Sequence, residues 1–398
     1  MMKRDDKEIL FPFSSRTEHF VLPKQWASMR IAKEQEKRTG KRIIHFEKGD
    51  YQGADFDTPE HVLNETIKAI KNGYVRYNPG SGIDELRQAI ADKYTKERNR
   101  PTTPSEVIVT AGAKHSLTMN LLTFLDDGDE VIFPNPGYPP DEVWAKFTKA
   151  VIKHVPLTKA DWQFDVKKLE KLISPRTKLL IINTPQRPNG QLVNNIGEIA
   201  EMLQRHPHVM VISDEIFSEI TYDKPHKSIS MIPEMKDRTI IIDTFSKTWA
   251  MTGWRIGWTI APAPVIDKLN IFLQDSITNV AEFIQKAAYV AMTGPQDWVY
   301  RKKAILLKKR NMMVEGLNQI KGIKCDYPEG TFYVLADITG TGLNSQEFTD
   351  RLLERANVAV VAGTAFGSEG EGYVRLTFAV PDDDIKEGLD RMGAVDLS

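Results

Sequence analysis

Short apolar runs alternating with helical patterns constrain this chain more than any other feature of its sequence. The runs are Val107–Thr110, Glu130–Phe133, Lys178–Asn183, His208–Ser213, Thr239–Asp243 and Arg255–Ile260. Helical spacing appears between them at Ala113–Leu125, Ile196–Arg205 and Val265–Gln274. Strands this apolar must be covered on both faces, which predicts an α/β fold: a mostly parallel sheet with helices on either side. From Thr293–Pro295 onward the pattern changes. A charged helix over Asp297–Ile320 leads into short strands at Thr331–Ala336, Val358–Val361 and Tyr373–Thr377, which predicts a smaller α+β domain. The expected division is a polar arm over 1–50 with a helix at Gln25–Glu36, a large domain over 51–294 and a small domain over 295–398. The arm is expected to join the small domain and close over a site.

Charge and cysteine usage then remove whole classes of function. The chain has 398 residues, and its 53 basic side chains against 54 acidic ones leave a net charge of −1. No global field attracts nucleic acid or an anionic membrane. No apolar run approaches the ~20 residues that span a bilayer, and the opening MMKRDDKEILFPFSS lacks the long apolar stretch of a secretory signal. A single cysteine, Cys325, excludes an internal disulfide and a cysteine-based metal cage. A cytoplasmic protein without a bound metal is expected. There is neither a G-x-G-x-x-G nor a P-loop, so nucleotide-binding readings fail as well.

In open α/β sheets ligands bind beyond the carboxyl ends of the strands. Here the runs end in Gly112-Ala113-Lys114, Tyr138, Asn183-Thr184-Pro185-Gln186, Asp214-Glu215 and Thr244-Phe245-Ser246-Lys247. A glycine-led helix start suits a phosphate, through its free N–H groups and dipole. A lysine rooted on a strand and partly desolvated suits a Schiff base. A buried carboxylate, Asp214, needs a cationic partner, and a protonated pyridine nitrogen provides one. Any one of these endings alone is ordinary turn chemistry; five on one sheet edge form a candidate site.

Together these segments resemble the signatures of class I/II aminotransferases, pyridoxal-phosphate enzymes of fold type I. The resemblance rests on Ser213-Asp214-Glu215-Ile216 and on the stretch from Thr244 through Lys247, Gly253 and Arg255 to Gly257. Val75-Arg76-Tyr77, Val109–Lys114 and Tyr373–Phe378 extend it over nearly the whole chain. It implies pyridoxal 5′-phosphate as cofactor and a seven-stranded type of sheet in the large domain. It also implies that Lys247 forms the Schiff base and shuttles the Cα proton, that Asp214 pairs with the pyridinium and that Tyr138 stacks on the ring. Gly112, Ala113, Lys114, Thr244, Ser246 and Arg255 are implied to hold the phosphate. Tyr77 is implied to reach the phosphate of a neighbouring subunit in a homodimer with shared sites, and Arg375 to fork onto the substrate carboxylate.

The pattern breaks in several places. Where the family reads Asn-Pro-Thr-Gly, this chain reads Arg187-Pro188-Asn189-Gly190, and where the family has a tyrosine three residues after the aspartate it has Phe217. Both family residues contact the 3′ oxygen of the cofactor, so Arg187 is expected to take over that oxygen and stabilise its anion. The turn Glu47–Phe56 is extended, and Asp50 within it and Asp141 after Tyr138 are expected to meet a cationic substrate side chain. His45 is a candidate acid/base group beside that turn. From these departures, oxidation of a cationic L-amino acid such as arginine by dioxygen is expected ahead of ordinary transamination to a 2-oxo acid. A regulatory module that only binds a ligand is disfavoured by the intact Lys247, Asp214 and Arg375.

Overall fold

The computed structural model describes residues 12–395, with the side chain of Asp141 outside the described set. Thirteen strands form three sheets. The arm contributes β1 (Ile44–His45). The large sheet consists of β2 (Val107–Thr110), β3 (Glu130–Asn135), β4 (Val151–Pro156), β5 (Thr177–Asn183), β6 (Met210–Asp214), β7 (Thr239–Thr244) and β8 (Gly257–Ile260). The small domain adds β9 (Lys324–Cys325), β10 (Tyr333–Asp337), β11 (Val358–Ala359), β12 (Val361–Ala362) and β13 (Tyr373–Thr377).

The large sheet runs β2-β8-β7-β6-β5-β3-β4. Only β8 is antiparallel to its neighbours, so the start of β8 and the ends of β2 and β7 lie on one edge. All six apolar runs of the sequence are strands. The seventh, β4, was missed because it is an edge strand, partly exposed along most of its length, whose sequence Val-Ile-Lys-His-Val-Pro carries polar residues that a central strand excludes. Helices cover both faces. Leu86, Ile90, Val109, Phe245 and Trp258 pack on one side of β2, β7 and β8, and Ile108, Leu117, Ile240, Leu269 and Leu273 on the other.

The helix Glu282–Thr293 ends the large domain, and Asp297–Leu317 carries the chain into the small one. That helix stops three residues short of the expected Ile320. The small sheet is antiparallel, in the order β12-β13-β10-β9. The single strand expected over Val358–Val361 divides at Val360: β11 pairs in parallel with β1, and β12 pairs with β13. The arm thus contributes a strand beside β11. Its helix runs Lys24–Thr39, longer than the sequence suggested, and ends at Gly40 in the left-handed conformation. Gln35 Nε2 donates to the Leu353 carbonyl at 2.6 Å, and Gln25 Nε2 to that of Ala365 at 3.3 Å. No helix among the described residues is long and apolar enough to cross a membrane. Cys325 is a buried free thiol.

Candidate active site

Two adjoining cavities, about 350 and 170 Å³, open at the carboxyl edge of the large sheet. The smaller is lined by Ala113, Lys114, Tyr138, Asp214, Ser246 and Arg255 among others, and the larger by Trp26, Asp50, Phe217, Tyr333 and Arg375. Arg187 and Lys247 line both.

Chain topology explains the convergence. Gly112 lies two residues past β2, Tyr138 three past β3, Arg187 four past β5 and Lys247 three past β7, while Asp214 closes β6. Arg255 precedes β8, and the antiparallel direction of that strand returns it to the same edge. Gly112 caps the helix Ala113–Phe124 with φ +86°, and a Cβ there would stand 2.9 Å from Arg255 Nη2. Glycine is required on both counts. The result is a helix N-terminus beside a guanidinium, with the Thr244 and Ser246 hydroxyls 2.9 Å apart nearby. Such a set of donors fits a phosphate.

Lys247 sits in a one-turn helix, Phe245–Thr248, and its Nζ donates to the Gly49 carbonyl at 2.8 Å. Burial lowers its pKa to about 8; Asp50 opposes the shift, while Arg187, Arg255 and Arg375 add to it. A substantial neutral fraction at physiological pH is what a nucleophilic amine requires. Arg375, in the middle of β13, is buried between the rings of Tyr333 and Phe366, 4.5 and 5.2 Å from their centroids. One Nη donates to the Glu47 carbonyl at 2.5 Å, and Nε has no partner. Stacking fixes the guanidinium plane and leaves donors for a carboxylate.

Arg187 differs from its expected role. Its guanidinium pairs with the Asp214 carboxylate and lies 4.1 Å from the centroid of the Tyr138 ring. It therefore bridges Tyr138 and Asp214, the two residues expected to meet the cofactor ring. Asn183 Oδ1 anchors it, accepting from its backbone N–H at 2.7 Å. Burial raises the pKa of Asp214, and Arg187 offsets part of the rise. Phe217 is packed edge-on against Phe332 and lines the larger cavity.

His45 lines neither cavity; its Nδ1 is 2.8 Å from Glu47 Oε1 and its Nε2 3.7 Å from Glu36 Oε2. Asp50 lines the larger cavity, where its Oδ2 accepts from Thr252 Oγ1 at 3.2 Å. The Asp141 side chain lies outside the described residues. Lys114 lines the smaller cavity with its Nζ 5.0 Å from the Trp26 ring. Tyr77 lies away from both cavities and is 85% exposed.

Sequence reasoning missed Trp26, Met29, Glu47 and Tyr333. The arm residues carry no motif, since helical spacing alone does not say which face meets a site. Tyr333 becomes visible only once β10 pairs with β13 beside Arg375.

Comparison with known proteins agrees with this geometry. Residues 41–392 match the model of the family described as aminotransferase class I and II. The aromatic-amino-acid aminotransferase 2 of Thermococcus litoralis is 36% identical, over 86% of this chain and 89% of its own. An aspartate aminotransferase of Pyrococcus abyssi is 37% identical with the same coverage. The crystal structure of the aspartate aminotransferase from Rhizobium meliloti superposes with a TM-score of 0.92 at 31% identity, covering 97% of this chain and 98% of that one.

Proposed function

This chain belongs to the class I and II aminotransferases, pyridoxal-phosphate enzymes of fold type I, and from that premise we propose that it transfers the amino group of an L-amino acid to a 2-oxo acid. The observation that carries the proposal is the convergence of Lys247, Asp214 and Arg375 on two joined cavities beside a phosphate-type helix N-terminus. The residues fit the cofactor. Gly112, Ala113, Lys114, Thr244, Ser246 and Arg255 would hold its phosphate, Tyr138 its ring face, and Lys247 its carbonyl carbon. When bound, the cofactor supplies an electron sink that acidifies the Cα–H of the amino acid.

The remaining work belongs to the chain. Arg375 would grip the substrate carboxylate with its stacked guanidinium and so aim the Cα–H at Lys247. Lys247 Nζ, its pKa lowered by burial to about 8, would accept that Cα proton. Asp214 would stabilise a protonated ring nitrogen once Arg187 has moved aside. Trp26, Met29 and Gln25 of the arm helix line the larger cavity and would screen the reaction from water.

The dioxygen-dependent oxidation of arginine favoured by the sequence finds no support in the three relatives described above, each of which is named as an aminotransferase. Its main argument, Arg187 at the 3′ oxygen, is weakened by the pairing of Arg187 with Asp214. One observation keeps it as the second reading: Asp50 lines the larger cavity and offers a carboxylate to a cationic side chain. A single screen separates the two. Amino acids including aspartate, phenylalanine and arginine are incubated with 2-oxoglutarate in an oxygen electrode. Glutamate formation without oxygen uptake is expected; oxygen consumption with arginine and no glutamate would replace transamination by oxidation.

The proposal includes a homodimer. The helix Glu60–Lys71 exposes Leu63, Ile67 and Ile70 on one face, and the exposed Val75, Tyr77 and Ile277 line one shallow cavity. An apolar surface of this extent suits a subunit interface. Tyr77 would complete the partner's site from there.

A further inference from the structure

Lys247 is held at both ends. Its amine meets the Gly49 carbonyl, and its own peptide carbonyl is gripped from the opposite side by two side chains that the reaction itself does not call for. The helix Phe245–Thr248 is a single turn, too short to pair its last carbonyls well; within the segment the Lys247 carbonyl receives a bond from the Trp249 N–H, which is shared with the Phe245 carbonyl, and a 3.4 Å bond from the Ala250 N–H. Tyr51 Oη donates to that carbonyl at 2.6 Å. Lys302 Nζ donates to it at 3.0 Å and also to the carbonyl of Thr248.

Lys302 is unusual for a lysine. It stands on the helix Asp297–Leu317, is 3% exposed, and has its Nζ 5.1 and 5.4 Å from the ring centroids of Tyr51 and Trp298. Burial, and after it the charge of Lys247, holds its pKa well below the ordinary lysine range. An amine in such a place is costly to bury, and a methionine of similar length would fill the space without that cost. What the amine adds is the pair of carbonyl bonds.

Tyr51 belongs to the turn that also supplies Gly49 and Asp50. That one turn meets the Lys247 amine at Gly49, the Thr252 hydroxyl at Asp50 and the Lys247 carbonyl at Tyr51. We infer that Tyr51 and Lys302 are positioning residues for Lys247, fixing its peptide so that the amine swings from an anchored root between Gly49 and the substrate. A proton acceptor must reach its target within a few tenths of an ångström, and a root that rocks spreads the amine over a wider arc. The inference rests on Lys247 being the lysine that serves the cofactor.

The charged groups facing the Lys247 amine are Asp50 from the turn, Arg187 from the loop after β5, Arg255 from the loop before β8 and Arg375 from β13. Tyr51 and Lys302 stand on its carbonyl side. The test uses Lys302→Met and Tyr51→Phe, singly and together. In the holoenzyme kcat should fall about tenfold for each, with KM within about twofold, and the double variant should lose less than the product because both groups act on one carbonyl. In cofactor-free protein, trace acetylation of Lys247 against pH, read by peptide mass spectrometry, should show a midpoint near 8 in the wild type. In Lys302→Met the midpoint should rise by about one unit, as the loosened amine gains water and loses part of the burial that depresses it.

A folded Lys302→Met protein with lowered melting temperature but unchanged kcat and unchanged acetylation midpoint overturns the inference, as does a rise in KM at constant kcat. If Lys302→Met fails to fold, Tyr51→Phe, which removes one oxygen atom, decides on kcat alone. Borohydride fixing the cofactor to a different lysine would overturn the proposed function, while the acetylation result would still report on the grip.

Discussion

Replacing Arg187 by asparagine restores the residue that the family carries at this position and tests the slot that Arg187 occupies. In the cofactor-free protein the substitution leaves Asp214 buried with no cation. Removing one member of a buried pair costs about 3–5 kcal/mol, because the other charge is stranded. Asp214 can escape part of that penalty by taking up a proton, since burial already raises its pKa and Arg187 is what opposes the rise. The expected loss is therefore at the lower end, about 3 kcal/mol.

Saturating pyridoxal phosphate should close most of this gap, because a protonated ring nitrogen supplies the missing cation. In the wild type the same ring must first break the Arg187–Asp214 pair and leave the Tyr138 face to its new occupant. The variant should thus bind the cofactor more tightly, about tenfold if about 1.4 kcal/mol of the pair's coupling is recovered. Denaturant unfolding with and without cofactor, and equilibrium titration of the cofactor's absorbance, measure both quantities. Equal stability of the two cofactor-free proteins would refute the reasoning. So would a deficit in the variant that saturating cofactor leaves unchanged.

The other predictions use the same site. Lys247→Ala should abolish turnover, and borohydride should attach the cofactor to the peptide containing Lys247; attachment at Lys114 or Lys227 would remove the assignment. Because the folded pKa of Lys247 is depressed to about 8 from an ordinary value of about 10.4, its burial opposes folding fully below pH 8, and the penalty fades as pH rises toward 10.4. The penalty is about 3 kcal/mol before screening by solvent at the cavity mouth, so Lys247→Met should gain stability at pH 7 and little at pH 10, as denaturant midpoints would show. Inactive Tyr77→Phe and Lys247→Ala subunits, mixed and exchanged, should recover part of the activity by forming sites with both residues intact; verified exchange without recovery counts against shared sites. Arg375→Lys should raise KM by about a hundredfold, since a point charge replaces a planar fork held between two rings.

Much of the site was legible because strand ends are punctuated. Gly112, Tyr138, Asp214 and Lys247 each stop or follow an apolar run, and the topology of a parallel sheet then forces those stops onto one edge. Arg375 could be placed only through its resemblance to a family pattern, since a lone arginine in a short strand has no local signature. Strand β4 was invisible for a different reason: its polar residues report an edge position, and edge strands lack the continuous apolar run that the reading relied on. The contacts of His45 with Glu36 and Glu47 could not be read from sequence, because a helix and a turn meet there only in the tertiary structure.

At Arg187 the structure shows partners that the sequence could not name. The sequence places a cation where the family has a hydrogen-bond donor, and the economical inference is that it serves the same oxygen. Geometry adds what the sequence lacks: a guanidinium is planar, stacks on aromatic faces and forks onto carboxylates. Between the Tyr138 ring and the Asp214 carboxylate it finds both partners at once, with its backbone already fixed by Asn183. A flat cation that stacks and pairs in this way resembles a protonated pyridine ring in shape and charge. The residue that departs from the family is thus the one that holds both Tyr138 and Asp214 in this structure.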